Sequence, residues 1–315
     1  MPANLTPQYY AAEEAFKAAT TTEEKIEALQ EMLAVIPKHK GTEKLQADLK
    51  RRLSKLREEQ EQKRKSKTGG ADPFYVERQG AGQAVLFGFP NTGKSALICA
   101  LTRAKAKVAD YPFTTAVPLA GMMPYEEALV QLVDTPPFTE EGVVPGMMQT
   151  LRAADALLVV IDIGASDCLE QLETCLDFLA KKRLLAKPYL VIANKMDHPD
   201  APSNLAVIRE LRPDPEIIPV SAARGTGLED LRPLVFRSLG VIRVFGKTPG
   251  KPADMTAPFY LKAGSTVLDL AAAIHRDFPA RLKFARIWGS ARFEGQTVPR
   301  DYVLADRDVV ELHVT

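Results

Sequence analysis

Residues 84–101 read AVLFGFPNTGKSALICAL: an apolar strand, a glycine-containing loop and a helical run. The loop, residues 88–95, matches the pattern G-x-x-x-x-G-K-S. Glycines at these positions let successive backbone amides turn toward a phosphate, and the N-terminus of the following helix adds its dipole. The lysine would neutralise phosphate oxygens and the serine hydroxyl would ligate Mg²⁺. The predicted nucleotide-binding set in this loop is Gly88, Phe89, Pro90, Asn91, Thr92, Gly93, Lys94, Ser95 and Ala96.

Short apolar strands alternate with helical stretches from this loop to about Gly240. Nearly continuous apolar strands with helical crossovers are typical of a parallel sheet that helices cover on both faces. The sequence therefore predicts an α/β domain over residues 80–240. The strand candidates are residues 84–88, 129–134, 156–162, 189–194 and 216–220.

A second motif, Asn194-Lys195-Met196-Asp197, directly follows a predicted strand, where open α/β sheets bind ligands. The Asp197 carboxylate could accept from both N1–H and the N2 amine of guanine, a donor pair that adenine lacks. Asn194 would tie loops together, and the stem of Lys195 would cover the ring. The intact motif favours a guanine nucleotide over ATP. After another strand, backbone amides at Ser221, Ala222 and Ala223 could meet the guanine O6.

Two further residues could sense the γ-phosphate. Asp134 ends an apolar strand and could hold the hydration shell of Mg²⁺. Thr115, in the run YPFTT at 111–115, could supply a second hydroxyl to that ion. The same threonine pair could equally belong to an ordinary loop.

The two ends of the chain have a different character. Residues 1–70 carry apolar residues at helical spacing and predict a helical arm, with one helix through residues 21–36. A second helix over residues 43–67 holds ten basic and five acidic side chains, which suits either a solvated face or a phosphate-binding surface. Residues 241–315 predict a small α+β domain. There Phe284 and Trp288 are interpreted as core residues of a strand. The alternative is a phosphate-binding face, because these aromatic residues are interleaved with Arg276, Arg281, Lys283, Arg286 and Arg292.

Composition excludes several classes of protein. The 41 basic residues nearly cancel the 40 acidic ones, so whole-chain charge gives no reason to expect a DNA partner. Three cysteines without a C-x-x-C pair fit neither a disulfide framework nor a zinc site. Without a signal-like start or a long apolar run, we expect a cytoplasmic protein with no membrane partner.

The run from Gly88 to Met123 resembles the Obg-type GTPases, whose loop reads GFPxxGKS and whose first switch carries an FTT motif. The section from Ile242 to the C-terminus resembles the TGS domain of the developmentally regulated GTP-binding (DRG) branch, a ubiquitin-like β-grasp fold. The helical arm is also similar to that branch. The resemblance implies that Thr115 ligates Mg²⁺, and that ribosome or RNA contacts are made through the TGS domain and the basic arm.

The sequence departs from this family at several points. Residues 134–137 read DTPP where the family has DxPG, and Pro137 has no N–H to offer the γ-phosphate. Phe138 stands where some GTPases have a water-positioning glutamine, as the apolar residue of Obg-like proteins would. Asn91 occupies the position that potassium-dependent GTPases use to ligate K⁺. Asn194 follows Asp162 by only 32 positions, so the insertion of the DRG branch is absent.

These observations predict a slow, Mg²⁺-dependent GTPase that acts as a switch, with K⁺ as a candidate second cofactor. Its catalytic residues would be Lys94, Thr115 and Asn91, and its metal-binding residues Ser95 and Thr115 directly and Asp134 through water. The alternative is a nucleotide-binding scaffold that barely hydrolyses GTP and whose main activity is RNA or protein binding.

Overall fold

The computed structural model describes residues 22–36, 74–102, 119–139, 142–144 and 146–314, with residues 8, 9, 12, 14, 16, 46 and 49–54 of the N-terminal segment. It divides into two compact units, Met1–Asp72 and Pro73–Thr315. Thr115 and the rest of YPFTT lie outside the described residues, as does most of the predicted basic helix. The roles assigned to Thr115 therefore stay predictions.

The N-terminal unit contains helix α1 (Thr22–Val35), where the sequence predicted its first helix. Apolar residues at helical spacing place one face of α1 in a small core of its own. The buried members of this core are Tyr9, Ala12, Leu29, Met32, Ile36 and Leu49.

The second unit begins with a six-stranded sheet in the order β2-β3-β1-β4-β5-β6. Neighbouring strands are parallel except for the antiparallel β2–β3 hairpin. Strand β2 was not predicted, because Gly121 and Pro124 interrupt its apolar pattern; its position at the sheet edge tolerates the proline. The strands are β1 (Gln83–Phe87), β2 (Leu119–Tyr125), β3 (Ala128–Asp134), β4 (Ala156–Asp162), β5 (Tyr189–Asn194) and β6 (Ile217–Pro219).

Helices cover both faces of this sheet, as predicted. Successive side chains of β1 point to opposite faces, so Val85 and Phe87 pack with α3, α4 and α5, whereas Ala84 and Leu86 pack with α2 and α6. Both faces are therefore buried, which explains why the parallel strands are almost continuously apolar. The helices are α2 (Lys94–Leu101), α3 (Met147–Ala153), α4 (Cys168–Lys181), α5 (Ala201–Leu211) and α6 (Leu228–Ser238).

The C-terminal domain is a five-stranded sheet in the order β10-β9-β11-β7-β8 with helices on one face. Its first and last strands, β7 and β11, lie side by side and parallel at the centre, which is the β-grasp arrangement. Thr266 and Asp269 form a capping box that starts α7. The elements are β7 (Val241–Gly246), β8 (Phe259–Lys262), α7 (Val267–Ile274), α8 (Phe278–Arg281), β9 (Leu282–Trp288), β10 (Gln296–Val298) and β11 (Asp308–Val314).

Phe284 and Trp288 do not lie in the core, and their interpretation as core residues is wrong. Ala285 and Ile287 point into the core, so residues 284, 286 and 288 of β9 face the opposite side of the sheet. Here Phe284 stacks on His313 at a centroid distance of 4.4 Å, and the Lys247 ammonium lies 4.6 Å from the Trp288 ring. The phase of the strand, rather than side-chain type, decides which residues are buried.

Arg243 on β7 joins the C-terminal domain to the α/β domain. Its Nη2 donates to Asp306 at 2.6 Å, within its own domain. Its Nη1 donates to Glu126 and, at 3.1 Å, to Glu127, both in the turn of the β2–β3 hairpin. Arg307 donates to the same two glutamates at 2.9 and 3.1 Å. The guanidinium of Arg243 is buried, so the ion pairs are poorly screened and the hairpin turn is held firmly.

We expect Arg243→Ala to lower the free energy of unfolding by about 2–4 kcal/mol, because three carboxylates lose a buried cation. Arg307→Ala is the matched control, since Arg307 contacts the same glutamates but is 46% exposed; its loss should stay below about 1 kcal/mol. Urea unfolding followed by circular dichroism measures both. Equal losses of unfolding free energy in the two variants would show that the burial of Arg243 does not strengthen its ion pairs.

Candidate nucleotide-binding site

The loop between β1 and α2 is shaped by two glycines that lie against neighbouring strands. A Cβ atom on Gly88 would lie 2.2 Å from the carbonyl oxygen of Val160 on β4. Gly93 has φ +87°, and a Cβ atom there would lie 2.3 Å from the Asn194 amide nitrogen. The loop therefore needs glycine at both positions for packing, before any phosphate contact is considered.

Lys94 and Ser95 open helix α2 and are tied to the loop and to β3. The Lys94 ammonium donates to the carbonyl oxygens of Gly88 at 2.9 Å and Phe89 at 2.7 Å. Burial lowers the pKa of Lys94 to about 8, against the opposing attraction of Asp134. A phosphate group would place a further negative charge within hydrogen-bond distance of this buried ammonium.

The Ser95 hydroxyl donates to Asp134 Oδ2 at 2.5 Å. In the described part of the chain, Asp134 Oδ1 is the one buried side-chain nitrogen or oxygen without a hydrogen-bond partner. Burial raises the pKa of Asp134, while the Ser95 hydrogen bond and the charge of Lys94 oppose that effect. A hydroxyl beside a carboxylate with an unpaired oxygen is a donor set that fits Mg²⁺ and its coordinated water.

A cleft of about 540 Å³ lies beside these residues. Asn91 lines it with φ +61°, a left-handed conformation that asparagine tolerates better than most residues, so backbone geometry alone can account for asparagine here. The lining residues are Pro90, Asn91, Gly93, Lys94, Ser95, Ala96, Thr135, Pro137 and Lys195.

Asn194 is buried and connects three loops. Its Nδ2 donates to the Thr92 carbonyl oxygen at 2.9 Å, and its Oδ1 accepts from the Ala222 N–H at 3.0 Å. The end of β5 is thereby fixed to the phosphate loop and to the loop after β6. This is the tying role that the sequence predicted for Asn194.

Asp197 is held by the loop after β6. The Ser221 hydroxyl donates to Asp197 Oδ1 at 2.6 Å and lowers the pKa of this carboxyl, which favours the ionised form. The Ser221 N–H donates to Thr226, and the Ala222 N–H to Asn194, so neither is free to meet a guanine O6. Of the three predicted amides, that of Ala223 remains for this contact.

The segment after Asp134 offers few backbone donors to a γ-phosphate. Pro136 and Pro137 have no N–H, and the Phe138 N–H donates to the Gly88 carbonyl oxygen at 3.0 Å. The Phe138 ring is buried, with centroid distances of 5.1 Å to Phe87 and 4.9 Å to Phe178. Its side chain therefore belongs to the core and cannot orient a water molecule in the cleft.

Lys195 contacts Asp162, which lies outside the site that the sequence predicts. Its ammonium lies 2.6 Å from Oδ2 of Asp162 at the end of β4. Asp162 ends an apolar strand just as Asp134 does, so the signal that pointed to Asp134 could have pointed here also.

Two family models match the chain in the regions that these geometries define. The model described as "50S ribosome-binding GTPase" matches residues 83–195, and the TGS domain model matches residues 242–314. The chain therefore contains a domain of this GTPase family, followed by a TGS domain.

Its relatives include the DRG proteins, as the sequence motifs predicted. A GTP-binding protein of Halobacterium salinarum, described as uncharacterized, is 29% identical, covering 92% of this chain and 98% of its own. Developmentally-regulated G-protein 1 of Arabidopsis thaliana is 25% identical, covering 92% and 90%. Ribosome-interacting GTPase 1 of Saccharomyces cerevisiae is 23% identical, covering 93% and 99%.

The alignment with the Arabidopsis protein extends over 360 positions, whereas this chain has 315 residues. The relative thus contains residues that have no counterpart here. Between β4 and β5 this chain has the single helix α4. A partner that binds an insertion at this place in a relative would find no such surface on this chain.

We expect Asn194→Ala to lower the free energy of unfolding by about 1–3 kcal/mol even without nucleotide, because the Thr92 carbonyl and the Ala222 N–H lose their partner. Asp197→Asn is the control, since Asp197 is exposed; its effect on stability should be below about 0.5 kcal/mol. Chemical unfolding of the nucleotide-free proteins measures both. An Asn194→Ala protein as stable as the control would contradict the joining role of this amide.

Proposed function

We propose that this protein hydrolyses GTP slowly to GDP and phosphate and acts as a Mg²⁺-dependent switch. The observation that carries the proposal is the meeting of the phosphate loop, Asp134 and the Asn194–Asp197 motif at one edge of the sheet. A triphosphate in the cleft would place its phosphates at the N-terminus of α2 and its base near Asp197.

Each residue has a role that follows from its surroundings. Lys94 would move its ammonium from the loop carbonyls to the β- and γ-phosphate oxygens. Ser95 would ligate Mg²⁺ and Asp134 would hold one of its waters; the ion, when bound, would neutralise charge that develops on the phosphates. Asp197, fixed by Ser221, would accept from guanine N1–H and N2–H. Thr115 would be the second hydroxyl ligand.

The proposal of slow turnover rests on residues 136–138. Because these residues offer no backbone donor to the γ-phosphate, GTP would make few contacts with the protein that GDP does not make. Without a polar side chain at position 138, the attacking water must be oriented by another group. Asn91 with a bound K⁺ is the candidate that the sequence offers for compensating charge.

Phosphate release from GTP and from ATP, in K⁺ and in Na⁺, tests these points together. We expect turnover of GTP alone, faster in K⁺, and a Pro137→Gly variant that prefers GTP over GDP more strongly because a backbone N–H is restored. Equal rates in K⁺ and Na⁺ would remove the role of Asn91. Equal GTP and GDP affinities in the Pro137→Gly protein and the parent would remove that of Pro137.

The scaffold alternative is supported by the same DTPP segment. Tight guanine nucleotide binding without turnover under every salt condition would favour it. Its main activity would then be RNA or protein binding, and the bound nucleotide would stabilise the folded protein.

A contact with the ribosome or RNA is the second part of the proposal, together with a cytoplasmic location. One support is the relative from yeast, whose name describes it as ribosome-interacting. Another is a group of exposed cations on the TGS domain, including Lys283 and Arg286 on β9 and Arg292 beside the exposed ring of Phe293. Cations of this kind would bind phosphates, and the basic arm could add to them.

No helix in the described part of the chain is long and apolar enough to cross a membrane.

We expect the paired change Lys283→Glu and Arg286→Glu to reduce co-sedimentation with ribosomes at least fivefold, with a weaker dependence on salt. The control makes the same charge change at Lys181 and Lys182, two exposed lysines at the end of α4. If both pairs of changes reduce co-sedimentation equally, whole-chain charge rather than the TGS surface is responsible.

A further inference from the structure

We propose that Asp162 is a positioning residue of the guanine site, which holds Lys195 so that its methylene stem lies across the base. The inference deepens the proposed function, because it assumes that a guanine nucleotide binds beside Lys195. It assigns a role to a residue outside both nucleotide-binding motifs.

Asp162 is itself fixed by two hydrogen bonds at the carboxyl end of β4. Its Oδ1 accepts from the Gly164 N–H at 3.1 Å, and its own N–H donates to Gln171 Oε1 at 3.1 Å. Gln171 is oriented in turn by a 2.9 Å hydrogen bond from its Nε2 to Asp167 Oδ1. The remaining carboxylate oxygen, Oδ2, is thereby directed to one place, and the Lys195 ammonium occupies it at 2.6 Å.

Lys195 is constrained from its backbone as well. Its φ is +70°, a left-handed conformation that a non-glycine residue keeps only when its surroundings require it. Both of its chain neighbours are fixed by hydrogen bonds. Asn194 donates to the phosphate loop, and the Met196 N–H donates to the Val220 carbonyl oxygen at 3.0 Å. With the ammonium bound to Asp162, both ends of the side chain are held.

Lys195 itself borders the cleft. Lys195 is the one residue of the Asn194–Asp197 motif that lines the cleft with the phosphate loop. A lysine stem is apolar and can cover the face of an aromatic ring while its head stays hydrated or paired. The side chain of Asp162 is 18% exposed and that of Lys195 is 39% exposed, so the pair lies partly inside the protein, where an ion pair orients side chains better than on the open surface.

The same strand provides a matched control at its other end. Asp155 directly precedes β4 and, like Asp162, pairs with a cation, here Arg78 at 3.1 Å, and accepts from a backbone N–H, that of Gln83 at 2.9 Å. It lies at the edge of the sheet away from the nucleotide site. Asp155→Asn thus removes an equivalent charge from the same strand without touching the cleft.

Titration of the full chain with a fluorescent GDP tests the assignment by a double-mutant cycle. We expect Asp162→Asn to weaken GDP binding about five- to tenfold. Inosine diphosphate, which lacks the N2 amine of guanine, should lose affinity by the same factor, because Asp197, which would recognise that amine, is unchanged. Lys195→Met keeps an apolar stem but removes the ammonium. In that background Asp162→Asn should have no further effect on affinity, since no charge remains for it to hold. Asp162→Glu, which keeps the charge, should retain more affinity than Asp162→Asn.

Additive losses from Asp162→Asn and Lys195→Met would overturn the proposal, because Asp162 would then act on the fold and not through Lys195. Equal weakening by Asp155→Asn would overturn it also. An Asp162→Asn protein that binds GDP like the parent would show that the pair does not position the stem. A parent protein that binds no guanine nucleotide would instead refute the proposed function, so the two failures are distinguishable.

Discussion

The buried side-chain amide of Asn194 is the interaction on which the candidate site depends. It donates to the phosphate loop and accepts from the loop after β6, and it lies so close to Gly93 that no side chain fits there. Three segments far apart in the sequence are held in one arrangement by one residue. The phosphate loop and the base-recognition loop therefore cannot shift independently, and a nucleotide that spans them meets a largely prearranged surface.

A second theme is that Phe138, in the segment after Asp134, is directed into the protein and away from the cleft. The Phe138 ring completes an aromatic cluster with Phe87 and Phe178, and its N–H is bonded to Gly88. This packing stabilises the junction of β3 with the phosphate loop. It also makes the state of the segment after Asp134 depend on the core more than on the ligand.

The sequence was sufficient where the signal is local. The phosphate loop, the Asn194–Asp197 motif and the parallel strands each appear as a short pattern, and the structure contains strands where the patterns predicted them. Contacts between distant residues leave no such pattern: Arg243 meets a turn 117 residues away, and Lys195 meets a carboxylate 33 residues away. Phe284 and Trp288 show a third limit, because composition suggests burial while only the register of β9 decides which face they occupy.

Arg243 contacts the β2–β3 turn at the end of β3 that is far from the nucleotide site. The turn precedes Ala128, the first residue of β3, whereas Asp134 ends that strand at the nucleotide edge. At roughly 3.3 Å per residue, the contact of Arg243 with this turn and the candidate magnesium site are about 20 Å apart along one strand. A molecule that touches both must therefore have an elongated footprint, and one that binds only at the contact between Arg243 and the β2–β3 turn need not cover the phosphate loop.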